Sequence, residues 1–217
     1  MTPQLGLFLS SIAFVGTHFL LSHPLRGPLV RGMGPGPFRI LYTVVALVTF
    51  GAMIHYYRVI GREPPLWDIG DAGWIAATLL MWLGAILFAG SFVHNPALPG
   101  AKPASGPPAG VFRITRHPMM WSFAIWAGVH LAVIGMPKAL VFDGAIILLA
   151  IGGSAAQDSK KRRLTEDWHD WTAQTGFVPF SRGVANPGLV AFTGGTLLFF
   201  AATWLHPLPA GFWRWIG

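Results

Sequence analysis

Residues 72–93 read AGWIAATLLMWLGAILFAGSFV, and this stretch decides the fold. It contains no charged side chain over 22 consecutive positions. An α-helix needs ~20 predominantly apolar residues to cross the hydrocarbon core of a bilayer. The stretch therefore predicts a transmembrane helix.

Five further apolar runs of similar length accompany it along the chain. They cover residues 5–21, 40–57, 119–136, 139–156 and 189–205. Only the fifth span of the six carries an acid, Asp143. The tightest turn is expected at Met136-Pro137, because proline cannot continue the preceding helix. We predict an all-α, polytopic integral membrane helical bundle of about six transmembrane helices, forming a single membrane domain over residues 1–217.

The composition agrees with a lipid environment. Hydrophobic residues make up 53% of the 217 and charged residues 11%, whereas soluble domains carry about 25% charge. Mean hydropathy is +0.54. These values argue against a soluble enzyme or a disordered tail and make the lipid bilayer the main expected partner. The chain has no Cys, which excludes disulfides, thiolate zinc sites and iron–sulfur clusters.

The basic residues predict the orientation of the bundle. Eleven of the 15 Lys and Arg fall in or beside residues 22–39, 94–118 and 157–188. Cytoplasmic loops of membrane proteins carry an excess of Lys and Arg. We therefore expect these three loops to be cytoplasmic and both termini periplasmic, in a bacterial inner membrane. The net charge of +7 then reports topology rather than binding to nucleic acid.

Three of the eight histidines, His18, His55 and His130, lie inside predicted spans. A polar side chain inside lipid needs a partner, and without thiolates imidazole supports haem or copper ligation, or proton transfer. Trp126 precedes His130 by one turn. It would either line a pocket for a flat macrocycle or polyene, or pack in the core. By helix rise, His130 and His55 lie ~17 and ~22 Å from the cytoplasmic ends of their spans, and His18 only ~5 Å. Depth alone pairs His55 with His130.

A family resemblance becomes visible around the fourth span. The stretch Gly110-Val-Phe-Arg-Ile-Thr-Arg-His-Pro-Met-Met-Trp121, with His130 following His117 by thirteen residues, resembles the NnrU family and its relatives, the 15-cis-ζ-carotene isomerases. Further matching landmarks follow in family order across nearly the whole chain: Thr17-His18, Pro65-Leu66-Trp67, Asp158–Leu164, Phe177–Phe180 and His206-Pro207-Leu208.

The resemblance implies an integral membrane protein and, through the isomerases, a b-type haem that isomerises a cis double bond of a carotenoid-like polyene. It places the axial ligands at His18 and His130, with His55 as the competitor from depth. Arg116 and His117 would line the pocket, or His117 would only precede a helix that starts at Pro118. The isomerases carry a cysteine where this chain has Ala127, so a Cys-for-His ligand exchange is unavailable here. The NnrU name also implies an association with denitrification and nitrogen oxides without isomerase activity.

Two other interpretations stay open. Arg116-His117-Pro118, followed by Arg162-Arg163 and Glu166, is similar to membrane methyltransferases of the isoprenylcysteine carboxyl type, which bind S-adenosylmethionine at the cytoplasmic helix ends. The expected aromatic after His-Pro is replaced by Met119-Met120. The other interpretation is a membrane subunit whose histidines only hold helices together. The sequence identifies neither the substrate nor the oligomeric state.

Overall fold

The computed structural model describes residues 1–96, 106–164 and 167–216, and within these ranges every regular element is helical. The all-α prediction is confirmed. The α-helices are α1 Pro3–Ser22, α2 Arg26–Met33, α3 Pro35–Ile60, α4 Gly70–Gly90, α5 Pro118–Ile134, α6 Pro137–Leu164, α7 Asp167–Gln174 and α8 Leu189–Trp204. Short 3₁₀ helices cover Gly110–Arg113 and Gly211–Trp215.

In the described ranges, α1, α3, α4 and the Pro137–Arg163 part of α6 are long and apolar enough to cross a bilayer, and α5 and α8 are shorter apolar helices. The multi-pass helical membrane protein predicted from the apolar runs is confirmed. The expected helix start at Pro118 and the expected turn at Met136-Pro137 are confirmed, since α5 begins at Pro118 and residues 135 and 136 separate it from α6, which begins at Pro137.

Most boundaries differ from the prediction by a few residues, and three of the differences have a clear consequence or cause. Helix α3 starts at Pro35 rather than at Ile40, because Pro35 suits the first turn of a helix. Helix α4 ends at Gly90, three residues before the end of its apolar run. Helix α6 runs eight residues past 156, to Leu164, because the residues there are good helix formers and polarity does not end a helix. The predicted loop residues Lys102 and Glu166 lie outside the described residues.

The chain divides into two compact units. The first contains Met1–Asp68 and His130–Gly153, and the second contains Ile69–Val129 and Ser154–Gly217. Helices α5 and α6 therefore each contribute residues to both units. The three intramembrane histidines all belong to the first unit, whereas Arg116, His117 and Trp126 belong to the second.

The first unit is built on the packing of α1 against α3. Its buried core contains Leu7, Met53, Phe142 and Ala145. Gly6 allows this close approach, because a Cβ atom there would lie 2.5 Å from the ring of Tyr56. Small residues bring membrane helices together because apolar side chains have no hydrophobic drive to associate in lipid.

The segment between α3 and α4 closes over the α5–α6 turn within the first unit. Trp67 Nε1 donates to Ala132 O at 2.8 Å, and Leu66 N donates to Gly135 O at 2.7 Å. The Glu63 carboxylate accepts the Lys138 backbone N–H at 2.9 Å, which caps the start of α6. Lys138 Nζ donates to the carbonyls of Tyr57 and Gly61. The turn thus obtains the hydrogen bonds that lipid cannot supply.

The second unit is built on the packing of α4 against α8. Its buried core contains Ile86, Leu87, Val111, Phe112, Ile114, Trp168, Trp171 and Ala191. Gly195 of α8 lies against the backbone of α4: a Cβ atom at this position would lie 2.6 Å from Ile86 N and 2.9 Å from Ala85 C. The neighbouring Gly194 has room, since its Cβ would lie 3.6 Å from that of Ala89.

We expect Gly195→Ala to destabilise the protein by about 1–3 kcal/mol, because backbone cannot move aside for the added methyl group as a flexible side chain would. The measurement is the midpoint of thermal unfolding in detergent, followed by circular dichroism. Gly194→Ala is the matched control and should leave the midpoint unchanged or raise it, because alanine has the higher helix propensity. Equal midpoints for the two variants would contradict the assigned α4–α8 approach.

Candidate functional site

Three ionisable side chains that are buried in the second unit meet at Asp158 on α6. Asp158 is 3% exposed, Arg116 8% and His117 2%. Arg116 and His117 directly precede α5, so the helix start at Pro118 holds them at the end of that helix. We call these three residues the Asp158 cluster.

Each oxygen of the Asp158 carboxylate accepts hydrogen bonds from two donors. Arg116 Nε and Nη2 both lie 2.7 Å from Oδ2. His117 Nε2 lies 2.8 Å from Oδ1, and Trp168 Nε1 donates to the same oxygen at 3.3 Å. A buried carboxylate is stable only when it is paired and its lone pairs are satisfied. This arrangement satisfies the lone pairs and compensates the negative charge with the guanidinium of Arg116.

Backbone groups hold the donors in place. Arg116 Nη1 donates to Thr175 O at 3.0 Å, and the Arg116 backbone N–H donates to Gly176 O at 2.9 Å. Thr115 Oγ1 and Trp121 Nε1 both donate to Phe177 O, at 2.7 and 2.8 Å. Residues 115–121 are therefore bonded to residues 175–177, and this binding orients the side chains that face Asp158.

The ring of His117 has one polar atom left over. Nε2 faces a carboxylate oxygen, so it carries a proton, and Nδ1 has no hydrogen-bond partner among the described residues. The His117 ring packs edge-on against Phe177, with centroids 5.4 Å apart. In metal and acid–base sites, a carboxylate that accepts from one ring nitrogen often orients the histidine in the same way.

Among the residues predicted from sequence, the structure brings Arg116 and His117 together at Asp158. Their side chains face this acid, and Glu166, the acid expected in the S-adenosylmethionine alternative, lies outside the described residues. Asp158 itself was visible in the sequence only as the start of a family landmark. Its signal is an acid at the end of an apolar run, just ahead of the basic residues 160–163.

The intramembrane histidines differ in exposure. His18 on α1 and His130 on α5 are half-buried, whereas His55 on α3 is exposed, as is Trp126 on α5. His18 Nδ1 lies 2.6 Å from Phe14 O, and its ring packs against Phe14 and Tyr42 at centroid distances of 4.5 and 5.3 Å. Within the described ranges, no three His, Asp or Glu residues converge closely enough to hold a metal ion between them.

The fold and these sites define a polytopic α-helical membrane protein with a compensated charge cluster buried at the end of one helical unit. The family model described as NnrU protein matches residues 6–213, so the chain belongs to the NnrU family. Neither the curated proteins nor the solved structures include a match to this chain.

We expect Asp158→Asn to destabilise the protein by about 3–5 kcal/mol, because the substitution leaves the buried guanidinium of Arg116 without its counter-charge. The free energy of unfolding is measured by titrating the purified protein in mixed micelles with a denaturing detergent.

Asp170→Asn is the matched control, because Asp170 is an exposed acid on α7. Removing its charge should change the free energy of unfolding by less than about 1 kcal/mol. Similar losses for both variants would show that Asp158 is not the centre of a buried ion pair.

Proposed function

We propose that this NnrU family protein binds b-type haem in its first unit, with His18 and His130 as the axial ligands. The observation that carries the proposal is the hydrogen bond of His18. A carbonyl oxygen only accepts, so His18 Nδ1 must donate its proton to Phe14 O at 2.6 Å. In a neutral imidazole the other nitrogen, Nε2, is then an unprotonated acceptor. Ligating histidines in proteins are oriented in this way by a hydrogen bond from their second nitrogen.

The donor set of the chain suits haem. A porphyrin supplies four of the iron's ligands, so the protein needs to add at most two, and imidazole is a common axial ligand. His18 and His130 both lie in apolar helices of the first unit and are half-buried. We prefer His130 over His55 as the second ligand, because His55 is exposed and an axial ligand has to face an enclosed cofactor.

The reaction we assign to this site is cis–trans isomerisation of a carotenoid-like polyene, which the resemblance to ζ-carotene isomerases implies. Bound haem would supply a redox-active iron for rotation about one double bond. The chain's own contribution is to hold the imidazoles of His18 and His130 and to surround the substrate with apolar side chains. We also propose that the protein resides in a bacterial inner membrane with both termini periplasmic, from the distribution of its basic residues.

The haem proposal is tested on protein expressed with ample haem and purified in detergent. We expect a Soret band, with the spectrum of six-coordinate iron in the wild type. His18→Ala and His130→Ala should each lower haem retention or change the coordination. Adding imidazole to His18→Ala should restore the wild-type spectrum if His18 is a ligand.

His169→Ala is the control, because His169 is exposed on α7. It should leave the spectrum unchanged, and so should His55→Ala. A wild-type protein without a Soret band would refute haem binding. A normal spectrum in His130→Ala with a changed spectrum in His55→Ala would instead assign the second ligand to His55.

A further inference from the structure

One face of α3 is exposed over most of the length of the helix. Its exposed positions recur every three to four residues, which is the spacing of a single helical face. From Ile40 onwards they are Ile40, Thr43, Val44, Leu47, Val48, Gly51, His55, Arg58 and Val59.

This face changes its chemistry along the helix. From Ile40 to Val48 it is apolar apart from the small hydroxyl of Thr43, as expected for contact with lipid chains. One turn from the helix end it presents His55 and Arg58, two side chains with N–H donors. Gly51, Ile54, His55, Arg58 and Val59 line a shallow groove of about 400 Å³. The space beside Gly51 is open, since a Cβ atom there would find no atom within 4 Å.

Neither donor has an ion-pair partner among the described residues. In the described part of the chain, both salt bridges involve Asp158, and neither His55 nor Arg58 takes part in one. An ionisable side chain on a lipid-facing surface is costly unless a partner meets it. The guanidinium of arginine matches a phosphate with two parallel hydrogen bonds, and a nearby imidazole can add a third.

We propose that this groove binds an anionic glycerophospholipid. Arg58 and His55 hold the phosphate, and one acyl chain lies along the face from Gly51 towards Val48. The dimensions agree: Val48 precedes Arg58 by ten residues, or ~15 Å of helix, which equals half of the ~30 Å hydrocarbon thickness of a bilayer. The lipid supplies the negative charge that the described residues around Arg58 do not, and it does so without involving the haem ligands.

The test is native mass spectrometry of the intact protein in neutral detergent. Phosphatidylglycerol and phosphatidylcholine with the same acyl chains are titrated separately. We expect phosphatidylglycerol to bind tightly at one site and phosphatidylcholine at least 10-fold more weakly. Arg58→Gln should weaken phosphatidylglycerol binding by about 10-fold or more, the loss typical of a hydrogen bond between charged groups. His55→Gln should weaken it several-fold.

Arg62→Gln is the matched control, since it removes the same charge from an exposed position outside the groove. It should change the affinity by less than about twofold, because exposed charges interact weakly at a distance. Circular dichroism establishes whether each variant is folded. If Arg58→Gln does not fold, the lipid affinity of His55→Gln tests the proposal instead.

Several results would overturn the proposal. Equal affinity for the two lipids would do so. Equal weakening of phosphatidylglycerol binding by Arg58→Gln and Arg62→Gln would do so as well, because it would indicate diffuse electrostatic attraction of the lipid to the protein surface. If inorganic phosphate stabilised the folded protein as much as phosphatidylglycerol does, the groove would be a site for free phosphate. Loss of a dimer in Arg58→Gln with unchanged lipid binding would show that the face binds a second copy of the chain. The Soret band of Arg58→Gln is expected to match wild type, which separates this site from the proposed haem site.

Discussion

A single carboxylate, that of Asp158, collects four N–H donors in a space from which water is excluded. The donors come from two separate parts of the chain, the residues before α5 and the start of α7. Removing one partner of a buried ion pair is strongly destabilising, because the remaining charge is then buried without compensation. The position of each of these segments in the second unit therefore depends on the others. The carbonyls of residues 175–177 belong to the same network, since they hold Arg116, Thr115 and Trp121 in place.

The sequence predicts the long helices because their signal is local and strong. Charge-free runs near 20 residues long identify spans, and Pro118 and Pro137 mark where two of them begin. The short helices α2 and α7 give no comparable signal. Helix α2 contains Gly27, Pro28 and Gly32, all poor helix formers, and α7 depends on burying Trp168 and Trp171 in a core that only the tertiary structure creates. The end of α6 is unpredictable from hydropathy for a related reason, because its last turns are polar but bury Asp158.

The residues of the candidate sites are predictable from the sequence, but their packing and their partners are not. His18, His55 and His130 stand out because imidazole is unusual among apolar residues, and the resemblance adds Arg116 and His117. Which histidines are enclosed is a property of helix packing, so the exposure of His55 could not be derived from its depth. The partners of the Asp158 cluster were equally hidden. Two of them, those of Thr175 and Gly176, are main-chain carbonyls, and a carbonyl group is present at every residue, whatever its side chain.

The distance along the chain between Arg116 and Asp158 has a consequence for synthesis. Asp158 follows Arg116 by 42 residues, and Thr175 follows it by 59. At about 5–20 residues per second, Arg116 leaves the ribosome some 2–8 seconds before its counter-ion exists. During that interval the guanidinium has to remain in water or among lipid headgroups, at the rim of the membrane. The second unit can close only after α6 and residues 175–177 have been made, so it assembles well after α5 has been synthesised. In the first unit, α1 and α3 can pair as soon as both have emerged from the ribosome.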